Sequence, residues 1–112
     1  MILIHNPRCG KSREALQLLK DKGIEPEIRE YLKDILSAEE IKELISMLDL
    51  KAEEIIRKNE AIYKENFKGT PMTQSKWIKA LVKYPKLLQR PILIHDKKAI
   101  IARPPELIKD FI

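Results

Sequence analysis

The sequence predicts an α/β fold, a four-stranded mixed sheet with an all-helical insertion between its second and third strands, and three observations carry that prediction. The chain opens with strand, helix and strand within about thirty residues, the pattern of a βαβ unit. It closes on two short apolar runs separated by a polar tetrapeptide, which suits an antiparallel hairpin. Between them, residues 35–85 carry only helical periodicity. At 112 residues the chain is expected to form one domain, 1–112, large enough to bury a single core.

Each element follows from local pattern. Residues 1–5 begin with Met1-Ile2-Leu3-Ile4, a buried strand that His5-Asn6-Pro7-Arg8 stops too soon for a signal peptide or a membrane span. From about Gly10 to Lys22, Ala15, Leu16, Leu18 and Leu19 mark one helical face, and Gly23 supplies a stop. Pro26 to Tyr31 reads as the second strand. Ser37-Ala38-Glu39-Glu40 is a capping box, followed by Ile41, Leu44, Ile45 and Leu48 at amphipathic spacing. A shorter helix is expected over Ala52 to Lys58. Another is expected after Thr73, with Trp77, Ile78, Leu81 and Val82 on one stripe and an end before Pro85. Pro91 to Ile94 and Ala99 to Ala102 are the hairpin strands, with His95-Asp96-Lys97-Lys98 between them. Pro104 and Pro105 can open a final helix whose apolar face is Leu107, Ile108, Phe111 and Ile112. No repeat, low-complexity segment or linker interrupts this order.

Composition narrows the function classes. The net charge is +5, with bases interleaved with acids as in Lys20-Asp21-Lys22. Aromatic residues are only 5% of the chain, so a base-stacking platform for nucleic acid is not expected, and neither is a membrane partner. A single cysteine permits no internal disulfide, which suits a reducing cytoplasm. One cysteine and two distant histidines, His5 and His95, do not make a metal ligand set.

Cys9 is the residue that calls for chemistry. It stands where an apolar strand hands over to a helix, and the unpaired N–H groups and dipole of a helix start stabilise a thiolate. Arg8, Lys11 and Arg13 add neighbouring positive charge. Pro7, Arg8, Gly10, Lys11 and Ser12 are not the company of a core cysteine. A phosphatase cradle would require arginine at position 15, which is Ala15, and a dithiol pair would require cysteine at position 12, which is Ser12. Cys9-Gly10-Lys11-Ser12 is therefore a monothiol motif, and any resolving thiol comes from another molecule.

His5-Asn6-Pro7-Arg8-Cys9-Gly10-Lys11-Ser12-Arg13 resembles the active-site segment of the glutaredoxin-coupled arsenate reductases, the ArsC family. The similarity continues through Gly23-Ile24-Glu25-Pro26, Tyr31-Leu32, Ile56-Arg57-Lys58-Asn59, Gln89-Arg90-Pro91-Ile92 and Ala102-Arg103-Pro104-Pro105-Glu106, so it spans nearly the whole chain. It implies a thioredoxin-like fold with a helical insertion, in the element order read above. It also implies that Cys9 attacks arsenate or a similar oxyanion, which Arg57, Arg90 and Arg103 bind. Arginine suits that task because its planar fork gives two parallel hydrogen bonds to a tetrahedral oxyanion and never loses its charge. The resemblance implies a cis Pro91, and it places a family histidine at His5, where it can tune or hydrogen-bond the loop.

The activity so implied is reduction of arsenate to arsenite, with glutathione as co-substrate and glutaredoxin as partner. No bound cofactor is expected. Two other readings stand beside it. One is a monothiol glutathione-dependent oxidoreductase that never handles arsenate. The other is a regulatory binding protein resembling Spx, although that group carries the second cysteine that Ser12 replaces here.

Overall fold

Ile2–His5 (β1) occupies an interior position of a four-stranded sheet in the computed structural model, which describes residues 1–112. Gly10–Asp21 (α1) follows, and Glu27–Glu30 (β2) returns parallel to β1, with Leu3 opposite Ile28. Ile92–His95 (β3) runs antiparallel to β1 on its other side, with Leu3 opposite Leu93. Lys98–Ile101 (β4) closes the hairpin, and the sheet order is β2-β1-β3-β4. This is the mixed, thioredoxin-like sheet that the sequence predicts.

The chain divides into two compact units, Met1–Asp34 with Arg90–Ile112, and Ile35–Gln89. In the first, Leu3, Ala15, Leu19, Leu93, Ala102 and Ile108 form a wholly buried cluster that joins one sheet face to α1 and to the C-terminal helix Ile108–Phe111 (α5). Leu3 and Ile4 are consecutive in an extended strand yet both buried, which marks β1 as covered on both faces. Helix α1 ends as its sequence dictates. Gly23 adopts φ +76°, its N–H bonds to the Lys20 carbonyl, and the Ile24 N–H bonds to the Leu19 carbonyl.

The second unit holds Ala38–Leu48 (α2), Ala61–Asn66 (α3) and Gln74–Lys83 (α4). The capping box on α2 is formed: the Glu40 N–H donates to Ser37 Oγ at 3.1 Å, and the Ser37 N–H donates to Glu40 Oε1 at 3.0 Å. Helices α2 and α4 pack together, and Ile41, Leu44 and Ile45 of the first and Trp77, Ile78 and Leu81 of the second are buried.

The elements depart from expectation in four places. Ala52 to Lys58 is not a helix; it shortens to a 3-10 turn over Ala52–Ile55, then runs extended so that Ile56 bridges Leu88. Helix α3 has no apolar stripe of its own to announce it, and it is held by Tyr63 and Phe67, which pack on the Trp77 ring. The hairpin turn has two residues rather than four, with Asp96 and Lys97 both at positive φ (52° and 63°), so His95 and Lys98 belong to the strands. The final helix begins as a 3-10 turn over Pro105–Leu107 before α5.

Candidate active site

Cys9 is the N-cap residue of α1 and lies at the end of a turn tied in four places. Its N–H donates to the Asn6 carbonyl at 3.0 Å, and the Arg8 N–H donates to Asn6 Oδ1 at 3.0 Å. The Asn6 N–H donates to Ser12 Oγ at 3.0 Å, and Arg13 Nη1 donates to the Pro7 carbonyl at 3.1 Å. The sequence dictates this closure. Proline removes one donor from the turn, and asparagine supplies a side chain short enough to bond the backbone two residues on. Ser12, one turn into α1, then reaches back to the strand end.

His5 joins the same network. It is 5% exposed, and its Nδ1 lies 2.6 Å from Ser12 Oγ. Burial is the main influence lowering its pKa from the usual histidine value; Arg13 and Lys20 act the same way, against Glu30. The ring is therefore neutral near pH 7, and Ser12, already accepting from Asn6, donates its hydroxyl proton to Nδ1. That assigns the imidazole proton to Nε2.

The Cys9 thiol is pulled below its ordinary value. Partial burial is the largest single influence and pushes the other way. The Ser12 amide, the Arg90 guanidinium as both donor and charge, and the Lys11 amide together outweigh it. The thiol makes no full capping hydrogen bond. These donors are arranged for the thiolate, whose charge they would bind more strongly than a neutral sulfur.

The structure distributes the residues singled out in the sequence unevenly. Cys9, His5, Arg13, Arg90, Pro91 and Arg103 all lie in the first unit. Arg90 is half-buried beside the sulfur, and its Nε is buried with no hydrogen-bond partner in the chain. Arg103 is exposed and donates from Nη1 to the Arg90 carbonyl at 3.0 Å. The Arg90–Pro91 and Arg103–Pro104 peptide bonds are both cis. Arg13 is engaged with the Pro7 carbonyl, Lys11 pairs with Glu14 at 3.6 Å, and neither side chain is among the groups that lower the thiol. Arg57 lies in the second unit, where it is ion-paired with Glu60 and its N–H donates to the Leu87 carbonyl at 2.7 Å.

Sequence reasoning used Ser12 only as the absence of a second cysteine. Its position three residues past a helix N-cap was the signal available, because the amide there faces the capping side chain. Chemically, a sulfur favoured as an anion beside a guanidinium whose Nε has no partner in the chain can act as a nucleophile toward an electrophile that is itself negatively charged.

Comparison with known proteins agrees in sequence and in fold. The sequence profile of the ArsC family matches residues 4–111. Arsenate reductase of Haemophilus influenzae is 36% identical over 114 residues, covering 100% of this chain and 98% of its own. YfgD of Escherichia coli strain K12, an uncharacterized protein, is 41% identical over 98% of this chain and 94% of its own. The solved structure of arsenate reductase from Vibrio cholerae superposes with a TM-score of 0.94 at 36% identity, covering 99% of this chain and 96% of that one.

Proposed function

The chain belongs to the ArsC family, and from that premise we propose that it is an oxidoreductase that reduces arsenate to arsenite through Cys9, drawing electrons from glutathione and a glutaredoxin. The observation that carries this reading is the pairing of a lowered Cys9 thiol with Arg90, whose buried Nε lacks any partner in the chain. A donor so placed answers an anion that arrives from outside.

In this mechanism the Cys9 thiolate attacks arsenic, and one arsenate oxygen, protonated, leaves as water. Arg90 and Arg103 hold the remaining oxygens, and Arg57 is the third arginine that the family resemblance assigns to them. Arsenic(V) then gains two electrons from two external thiols, which leave joined as one disulfide. Glutathione attacks the adduct, glutaredoxin completes the reduction, and hydrolysis frees arsenite and returns Cys9 as a thiolate. Cys9 undergoes no net oxidation, which fits a chain with no second cysteine. A reducing compartment supplies the thiols.

The test is arsenate-dependent NADPH consumption coupled through glutathione reductase, with glutathione and glutaredoxin present. The protein is expected to turn over, Cys9→Ser to be inactive, and Arg103→Leu to be impaired chiefly in its arsenate KM. Full activity in the serine variant would end the proposal. Turnover of a glutathione mixed disulfide, with no response to arsenate, would favour a glutathione-dependent thiol oxidoreductase instead.

A further inference from the structure

We propose that the cleft beside the Asn6–Cys9 turn is a binding site for glutathione, recognised as a peptide with two carboxylates and one ammonium; the proposal rests on the reading of glutathione as reductant. The cleft is open to solvent and has a volume of about 230 Å³. Its walls include Asn6 and Arg8 from the turn, Glu30 from the end of β2, and Leu32 and Lys33 from the segment after it, with buried His5 between.

Three observations point to this ligand. The first is position. The Asn6 carbonyl that accepts the Cys9 N–H belongs to a residue lining the cleft, so the cleft and the sulfur share one four-residue turn. A ligand seated here lies against the turn that carries Cys9, next in sequence to the lining residue Arg8.

The second is charge. Arg8, Lys33 and Glu30 make no ion pair within the chain, whereas nearby Arg29 pairs with Asp34 at 3.0 Å and Lys11 pairs with Glu14. Two free cations and one free carboxylate are the complement of two carboxylates and one ammonium. An inorganic oxyanion would gain nothing from Glu30, and the only aromatic ring in the lining, that of His5, is 5% exposed and offers little face for a nucleotide base.

The third is preorganisation. The Lys33 and Asp34 N–H groups donate to the Glu30 carbonyl at 3.0 and 2.8 Å, and Arg29 Nε donates to the Asp34 carbonyl at 2.9 Å. The segment bearing Lys33 is thus fixed before any ligand arrives, which reduces the ordering cost of binding.

The test titrates isotope-labelled protein with S-methylglutathione, which keeps all three charges and cannot react, and follows the backbone amides by NMR. Shifts are expected to centre on Asn6, Arg8, Glu30, Leu32 and Lys33. In the double variant Arg8→Ala with Lys33→Ala, the dissociation constant is expected to rise roughly tenfold, the size of two solvent-facing charge contacts. Both side chains are exposed, so the unperturbed amides also report that the fold is kept. Shifts confined to other residues, no shifts at all, or an unchanged dissociation constant in the variant would overturn the site. Absence of arsenate turnover with these shifts intact would instead overturn the reaction assignment and leave the cleft standing.

Discussion

Ser12→Ala removes one oxygen from the interior and tests whether the Cys9 turn is held by a buried polar network. The hydroxyl is wholly inaccessible, and its partners Asn6 and His5 are 8% and 5% exposed. Alanine fits the space but leaves the Asn6 N–H and His5 Nδ1 without partners. An unsatisfied buried group costs about 1–3 kcal/mol, so two cost about 2–6 kcal/mol. Water entering from the neighbouring cleft recovers part of this, and we expect a loss of ~3 kcal/mol. With an unfolding entropy of about 2.1 cal/mol/K per residue across the 112 residues, that loss lowers Tm by about 13 °C.

Two assays read the result. Thermal and urea unfolding give the stability change, and the pH dependence of alkylation of Cys9 by iodoacetamide gives the state of the sulfur. The Ser12 amide, which acts on the sulfur, survives the substitution, so the thiol is expected to stay below its ordinary value while stability falls. A Tm lowered by less than about 3 °C, under 1 kcal/mol, would refute the claim that these hydrogen bonds hold the turn.

Three further predictions use other parts of the molecule. Arg90→Met removes a donor and a charge from the sulfur, so the iodoacetamide profile is expected to move to higher pH; an unmoved profile would assign the lowering to the helix amides alone. Because the native Cys9 thiol is lowered, the unfolded chain holds the extra proton between that lowered value and the ordinary thiol value of about 8.5. Stability from this group therefore rises with pH across that window, is fully present above it, and is lost as pH falls through the native value. The stability difference between the protein and Cys9→Ser should grow accordingly, and a flat difference would contradict the shift. Asp96→Asn with Lys97→Gly places the preferred residues at two positive-φ positions of the β3–β4 turn. It is expected to add about 0.5–1 kcal/mol, or roughly 2–4 °C in Tm.

Legibility in the sequence followed how local the cause was. Helix α1 could be read from its apolar spacing and Gly23, because both act within one element. The α2 capping box was equally plain, since Ser37 and Glu40 satisfy each other without help. Helix α3 was invisible because its partner Trp77 comes more than ten residues later and supplies the apolar surface that α3 needs. The Ala52 turn shows the reverse case: its periodicity suggested a longer helix, but the Ile56–Leu88 bridge draws the chain out of it. At the candidate site the strand-to-helix position of Cys9 was legible. The charge assignment was not, since Arg8, Lys11 and Arg13 are neighbours in sequence while the guanidinium at the sulfur is that of Arg90, delivered by the sheet.

That exchange of cations bears on how one site can hold two negative species. A thiolate and an incoming oxyanion repel by about 4 kcal/mol for each pair of unit charges 4 Å apart at an effective dielectric near 20. Cations on mobile surface side chains would offset little of this, because solvent screens them and their ordering has an entropic cost. Arg90 differs on both counts: it is half-buried, it acts on the sulfur as donor and charge, and its Nε remains unpartnered. Arg103 is drawn beside it by a bond to the Arg90 carbonyl, which places a second guanidinium on the adjoining backbone with no carboxylate paired to either. Arg90 is shared with the sulfur and Arg103 is bonded only to a backbone carbonyl, so both keep positive charge that an entering anion can use. The same arrangement that lowers the thiol therefore favours entry of the oxyanion the thiolate would otherwise repel, and neither effect can be removed at Arg90 without disturbing the other.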